Sequence, residues 1–483
     1  MVMKSNFYAG SRLFTPISDV VGLPIDKMNF LVCQIAALGL AIPFRTYLSP
    51  SKTSPKIRHC VELVTGLLLA GFCFGYQVLH LIVPSSASYA IMKFVNCRIS
   101  HKVVFVVVLG YLSVAHIYRQ IYDYGGYTLD ITGPLMIMTQ KLTSMAFSLS
   151  DGMLDDNTKL TEDQRNQAIR KLPGLLEFFS FLFCFHGIMC GPLCFYRDYI
   201  AFIEGTNYTP PKPKNGNDVK IQAEPPSPKG PVIEKLTIAA VCGLLMMFVV
   251  PYFPPERLTT REYLEETTFL QRSIFLLICG TLARCQYYFA WVSSDALNNA
   301  AGLGFSGYDE EGKEKWDLIN NVDIYRLEMA TSLKVNIDCW NKMTLIWLRR
   351  VVYDRSPRAY STLTVFAVSA IWHGFYPGYY LTFGSAALCT VAARLVRRNV
   401  RGYFQSSPSL AFFYDCVTFM FTRIVNVYLA VPFLILELVP CLQLFWAFYA
   451  WVHFGSLGII IFFMLIWPKF TKRKSPKLEE KTQ

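Results

Sequence analysis

Nine apolar blocks, each close to the roughly 20 residues of helix that cross a bilayer core, limit what this chain can fold into. They begin near Asn29, Val61, Val103, Gly174, Leu236, Ser273, Ser361, Leu410 and Leu442. Backbone in hydrocarbon must satisfy its own hydrogen bonds, so blocks of this length read as helices. Shorter apolar or amphipathic stretches at Ser88 to Val95 and Ile131 to Leu149 are expected to be short spans, re-entrant pieces or helices packed on others. The expected fold is all-α, a polytopic transmembrane helical bundle of about 11 spans. Over 483 residues, 53% are hydrophobic and only 17% charged. A soluble chain carries about 25% charged residues, so several water-covered cores are excluded, as are disordered and collagen-like chains.

The net charge of +12 would suggest nucleic acid in a soluble protein. Here the charges sit between apolar blocks, where the preference of cytosolic loops for Lys and Arg accounts for them, and no nucleic-acid partner is expected. Arg45, Lys52, Lys56 and Arg58 form one basic loop. Lys469, Lys472, Arg473, Lys474 and Lys477 form a basic tail. Both are expected in the cytosol, which implies a lumenal or exterior N-terminus and an odd number of spans. Lys4, Arg12, Asp19, Asp26 and Lys27 interrupt the first segment, so no cleavable signal peptide is expected. The fourteen cysteines fall mostly inside apolar blocks and read as small buried hydrophobes rather than a disulfide framework.

Residues 1–467 are expected to form one multi-span membrane domain and 468–483 a disordered basic cytosolic tail. Within the domain, 206–231 is rich in Pro and Lys and reads as an exposed loop. Asn207-Tyr208-Thr209 inside it matches the glycosylation pattern, a weak signal on what is expected to be the cytosolic side. Residues 295–360 are too polar for lipid and too aromatic for a free loop, and read as a re-entrant or cytosolic segment lining a cavity.

His373, near the end of an apolar block in Ile371-Trp372-His373-Gly374, is an ionisable group at a costly position. A histidine packed between helices would look the same, and the other six histidines do not let position alone single it out. Asn341, in Trp340-Asn341-Lys342, presents a neutral amide that could donate to a developing oxyanion, or could cap the helix starting at Lys342. Arg349, Arg350, Arg355 and Arg358 suit a polyphosphate or simply a cytosolic helix end. His186, Cys190 and Cys194 share a helical face at four-residue spacing, but three ligands on one helix without a fourth make a poor zinc pattern, so no metal is expected. Asp123-Tyr124-Gly125-Gly126, Asp151-Gly152 and Gly191-Pro192 read as polar breaks that shape turns.

Trp340-Asn341 with Trp347-Leu348-Arg349 and Tyr353, followed about 30 residues later by a histidine in an apolar helix, resembles the membrane-bound O-acyltransferase family. The resemblance extends to Gln140-Lys141-Leu142-Thr143-Ser144 with Asp151-Gly152, to Gly191-Pro192 with Asp198-Tyr199-Ile200, to Tyr287-Tyr288-Phe289-Ala290-Trp291 and to Asn298-Asn299-Ala300-Ala301-Gly302. It covers most of the chain from Asp123 onward and is nearest to the lysophospholipid branch, especially its ethanolamine- and serine-headgroup members. It implies acyl-CoA as co-substrate, a lysophospholipid carrying ethanolamine, serine or choline as acceptor, and an endoplasmic reticulum location. It also implies His373 as general base, Asn341 as orienting donor, and neither metal, bound cofactor nor covalent acyl-enzyme. Arg349, Arg350, Trp340, Tyr353 and Asp151 are the expected substrate-binding residues, with the two arginines at the cytosolic mouth of an internal substrate tunnel. A homodimer is left open. Two rivals stand beside this reading: a sterol, diacylglycerol or protein acceptor, and a transporter or scramblase built around intramembrane Arg423 and Glu437.

Overall fold

The computed structural model describes residues 7–126, 128–153, 160–208 and 226–467. The tail at 468–483 and most of the loop at 206–231 lie outside the described residues. The longer helices are α1 (Ile25–Tyr47), α2 (Pro55–Phe74), α3 (Leu79–Phe94), α4 (Cys97–Tyr122) and α5 (Thr132–Met153). They continue with α6 (Lys229–Phe248), α7 (Phe269–Leu282), α8 (Cys285–Ala301), α9 (Lys342–Val351) and α10 (Ser361–His373). The last are α11 (Pro377–Val400), α12 (Pro408–Ile435), α13 (Leu438–Ala447) and α14 (Trp451–Ile461). The only strands among the described residues are Gly307–Tyr308 and Glu314–Lys315, an antiparallel hairpin around the acidic turn at Asp309.

Seven helical segments are long and apolar enough to cross a membrane, or eight if α13 and the helix from Trp451 to Ile466, bent by 73°, make one span. That is fewer than the expected eleven. The block near Gly174 yields a helix of only 8 residues, Leu175–Leu182, and irregular backbone follows it. The block at Ser361 yields 13 residues, about 20 Å of rise against a core of about 30 Å. The stretch from Ile131 to Leu149 becomes α5, of whose 22 residues 16 are buried inside protein rather than set against lipid.

The chain divides into two compact units, one comprising the residues up to Tyr252 with Leu282–Ile324 and Asp338–Tyr376, the other Phe253–Thr281, Tyr325–Ile337 and the chain from Pro377. In the first, α4 illustrates a helix in an apolar solvent. Val104, Val108 and Leu112 form a fully buried stripe at four-residue spacing, while Val106, Val114 and Ile121 on the other faces are equally apolar and exposed. α5 runs through the core of this unit. Its Lys141 ammonium donates to the Phe181 carbonyl at 2.9 Å and lies 5.0 Å from the Phe181 ring centre. Irregular chain over 183–195 packs against α2, where Gly66 permits the approach. A Cβ there would stand 1.6 Å from the Phe183 carbonyl oxygen.

This irregular stretch corrects the helical-face reading of His186, Cys190 and Cys194, which share no helix. His186 is instead one half of a buried ion pair. Its Nδ1 donates to Asn298 Oδ1 at 2.8 Å, and that amide is oriented by its own donation to the His186 and Ser294 carbonyls. Its Nε2 stands 3.2 Å from a Glu62 carboxylate oxygen. An oxygen faces each ring nitrogen, so the doubly protonated ring is the form in which both nitrogens can donate. Breaking a buried pair by removing one partner strands a charge, so Glu62→Ala is expected to cost about 3 kcal/mol or more, read as a lower thermal midpoint in detergent. A midpoint unchanged by the substitution would refute the pairing.

In the second unit, Leu276, Cys279, Cys389, Val427, Tyr428, Val431, Leu444 and Phe445 form the core. Arg423 is neutralised there by Glu328 and donates to Thr281 Oγ1 at 3.1 Å, so it is a structural ion-pair member. The bend between α13 and α14 is made by Tyr449 and Ala450, both at positive φ. All fourteen cysteines are free thiols, most of them buried.

Candidate active site

α9 begins at Lys342 because a residue twenty-one positions earlier supplies its cap. The Asn321 carbonyl accepts from Lys342 N–H at 2.8 Å, and Asn321 Oδ1 accepts from Met343 N–H at 3.0 Å. Asn341 therefore occupies the cap position without capping, which sets aside one of the two roles open to it from sequence. Its backbone is left-handed, φ 48° and ψ 49°, a conformation that asparagine tolerates better than most residues but that still stores strain. The Asn321 side-chain NH2 donates to Asn341 Oδ1 at 3.0 Å. That bond fixes the amide so that its own NH2 points the other way, and among the described residues nothing accepts from it.

Trp340 anchors the same stretch. Its ring lies 5.5 Å from Tyr287, 6.1 Å from Tyr288 and 4.9 Å from Trp291 on α8, edge to face throughout. α8 itself remains helical through Ala301 and ends on left-handed Gly302, so Asp295 to Ala301, expected in a non-spanning segment, belong to a buried helix end. Asp295 pairs with Lys235 at 2.8 Å and accepts from Asn320, whose own carbonyl oxygen accepts from the Lys342 ammonium at 2.9 Å. Asn207 and Tyr208 also point inward, both donating to the Gly302 carbonyl.

Both α9 and α10 are tied to α5. Trp347 of α9 is fully buried and its indole N–H donates to Thr143 Oγ1 at 2.9 Å, while Gln140 donates to Thr344. Trp372 of α10 donates from its indole to the Met136 carbonyl at 2.9 Å, and the two indoles meet at 5.8 Å. His116 of α4 donates to the Trp372 carbonyl at 3.0 Å. Beyond His373, Gly374 ends the helix at φ 120°, and Tyr376 Oη accepts from Gly125 N–H at 2.8 Å.

His373 is thus held at both ends of its own residue. Its Nδ1 lies 2.7 Å from the Ser369 carbonyl oxygen. A carbonyl can only accept, so Nδ1 carries the proton and, in the neutral ring, the lone pair is on Nε2. An imidazole so oriented is a base with a defined direction.

The five residues expected to bind substrate are dispersed differently. Asp151 is buried and held in a two-pronged ion pair by Arg355, at 3.0 and 2.6 Å. Arg350 grips Asp163 in the same way, at 2.5 and 2.6 Å, and covers the Phe195 ring at 3.9 Å. Arg349 is exposed, 3.9 Å from Asp354. It lines an open groove of about 450 Å³ with Thr161, Glu162, Asp163, Asn166 and Asp354. Tyr353 is exposed beside it and Trp340 is packed in the aromatic cluster. The residue that sequence reasoning missed is Asn321. Its partner is twenty positions away across an irregular connection, so no periodicity links them.

Residues 116–431, which contain His373, Asn341, Asn321 and all of these partners, match the membrane-bound O-acyltransferase family. The chain belongs to that family. This membrane-bound O-acyltransferase family member is 43% identical to lysophospholipid acyltransferase 6 of Drosophila melanogaster over 97% of its own length, and it spans 65% of that protein. It is 44% identical to membrane-bound glycerophospholipid O-acyltransferase 2 of Homo sapiens, covering 98% of this chain and 91% of the human one. To lysophospholipid acyltransferase 1 of Arabidopsis thaliana it is 30% identical, over 95% and 98% of the two chains. Its many apolar helices and its family together make it a multi-pass membrane protein.

Proposed function

We propose that this membrane-bound O-acyltransferase moves a fatty acyl group from acyl-CoA to the free glycerol hydroxyl of a lysophospholipid bearing ethanolamine, serine or choline. The observation that carries the reading is the Nδ1 bond from His373 to Ser369, which leaves Nε2 as the basic nitrogen. The names of the relatives supply the acceptor class.

In this mechanism the glycerol hydroxyl gives its proton to His373 Nε2 as its oxygen attacks the thioester carbonyl carbon. The amide NH2 of Asn341, turned outward by Asn321, donates to the carbonyl oxygen as negative charge collects there. The carbon–sulfur bond then breaks, and the imidazolium returns the proton to the departing CoA thiolate. The products are a two-chain phospholipid and CoA. No resident cofactor enters this scheme.

The same reading puts the chain in the endoplasmic reticulum membrane, on the strength of the family, with its basic C-terminus in the cytosol, which the distribution of Lys and Arg supports. Of the two arginines of α9, Arg349 is the one not gripped by a carboxylate in two-pronged fashion, so it is the candidate for the CoA phosphates. Arg349→Gln is expected to raise the KM for acyl-CoA several-fold with kcat little changed, and an unaltered KM would remove Arg349 from the donor site.

The test of the whole proposal is acyl transfer by the purified protein, with a panel of acyl-CoAs against lysophospholipids of each headgroup. Turnover on one or more headgroups supports it. Folded protein that acylates no lysophospholipid but does acylate a sterol, diacylglycerol or peptide would replace the acceptor.

A further inference from the structure

Arg394, Arg397, Arg398 and Arg401 stand at the end of α11 and the first position of the turn Arg401–Phe404 that follows it. Their spacing of three, four and seven residues puts them on one face of the helix. The first three are exposed and the fourth half-buried. From Pro377 to Tyr414 the chain contains no Asp or Glu. Among the described residues none of the four arginines makes an ion pair or a side-chain hydrogen bond. Like charges stacked at these spacings repel one another and destabilise the helix, so the arrangement calls for an anionic partner outside the chain.

Its position says what kind. The 24 residues of α11 rise about 36 Å, against a hydrocarbon core of about 30 Å, so the last turn stands clear of the core at headgroup level. For Arg394, within two turns of the end of α11, the aliphatic stem of an arginine is long enough to reach the same level. The turn that carries Arg401 is fastened to α12 by Phe404, whose ring lies 6.5 Å from Phe413 and 5.5 Å from Tyr414. Tyr403 beside it is exposed, as aromatics at a membrane surface commonly are. The topological preference for positive loops counts charges without regard to helical phase. It therefore accounts for basic residues here but not for four on one face.

We propose that this face binds the phosphate groups of anionic phospholipids in the surrounding membrane. The guanidinium fork matches phosphate oxygens two at a time, which favours Arg over Lys for the purpose. The face includes none of the acyl-transfer residues and would tie the enzyme's behaviour to the anionic lipid content of its membrane.

The test uses the full-length chain in nanodiscs of phosphatidylcholine doped with phosphatidylglycerol, with bound lipid counted by native mass spectrometry. Wild type is expected to retain phosphatidylglycerol preferentially, with the preference falling as salt is raised. Each arginine removed is expected to weaken retention about fivefold, the fold-change that about 1 kcal/mol per basic residue at an anionic surface represents. The variants are the quadruple Arg→Gln protein, the pairs R394Q/R398Q and R397Q/R401Q, and a quadruple Arg→Lys protein that keeps the charge and most of the preference. Should the quadruple Gln protein fail to fold, the two pairs read the same quantity. Arg257→Gln with Arg261→Gln, which removes two exposed arginines already paired to Glu262 and Glu265, should leave retention unchanged. Wild type that retains both lipids equally would overturn the proposal. So would Gln variants whose lipid preference is intact while their KM for acyl-CoA rises, since the face would then read the CoA phosphates.

Discussion

His373→Ala is expected to lower kcat for acyl transfer by about 10² to 10⁴, the usual contribution of a positioned general base. Its effect on the apparent affinity for either substrate should be small, because the imidazole acts on a proton in flight rather than on the bound ground state. His373 is the last residue of α10, and its partner Ser369 sits one turn back on the same helix. Removing the ring therefore deletes a bond local to the helix end and leaves Trp372, which carries the packing against α5, in place. A folded alanine variant retaining a tenth or more of wild-type kcat would show that the base is some other group.

The second large effect is expected at Asn341. Asn341→Gly suits the question better than alanine, since glycine accepts φ 48° without strain and the backbone path into α9 is kept. Loss of one oxyanion donor costs about 10² to 10³ in kcat, and thermal stability should fall little or rise. Asn321→Asp probes the same donor at one remove. The new carboxylate still accepts from Met343 N–H but cannot donate to Asn341 Oδ1, so the Asn341 amide turns and spends its NH2 on the carboxylate. Activity should drop towards that of Asn341→Gly. In the double variant the losses should not multiply, because the second change removes something the first has already disabled. Losses that multiply would mean that Asn321 serves only the fold of α9.

How much of this was legible in the sequence varies with the kind of information each residue carries. Blocks such as the one at Val103 report the period and length of a helix directly, so the all-α membrane class followed. Hydropathy does not distinguish a helix facing lipid from one facing protein. α5 carries Gln140, Lys141 and Asp151 because protein surrounds it, and the Ser361 block stops short because Gly374 ends it. His373 and Asn341 came to the fore through resemblance, since a lone histidine among seven and an asparagine ahead of a helix have ordinary explanations. The ordinary explanation for Asn341 was helix capping, and the cap belongs to Asn321. For Arg350 and Asp151, expected to bind substrate, the ion-pair partners Asp163 and Arg355 lie 187 and 204 positions away, beyond the reach of any local pattern.

The burial of α5 also bears on how the chain is made. The carbonyls that receive the Lys141 ammonium belong to Phe181 and Leu182, forty and forty-one residues downstream. At about 5 to 20 residues per second, a ribosome needs roughly 2 to 8 s to supply them after the lysine has been added. During that interval the helix carries a cation that costs about 2.5 to 3.5 kcal/mol at the centre of a lone span in the translocon. α5 is thus a poor candidate for independent release into lipid. Its entry into the membrane is expected to follow the synthesis of Leu175–Leu182, whose carbonyls answer its charge in the folded chain.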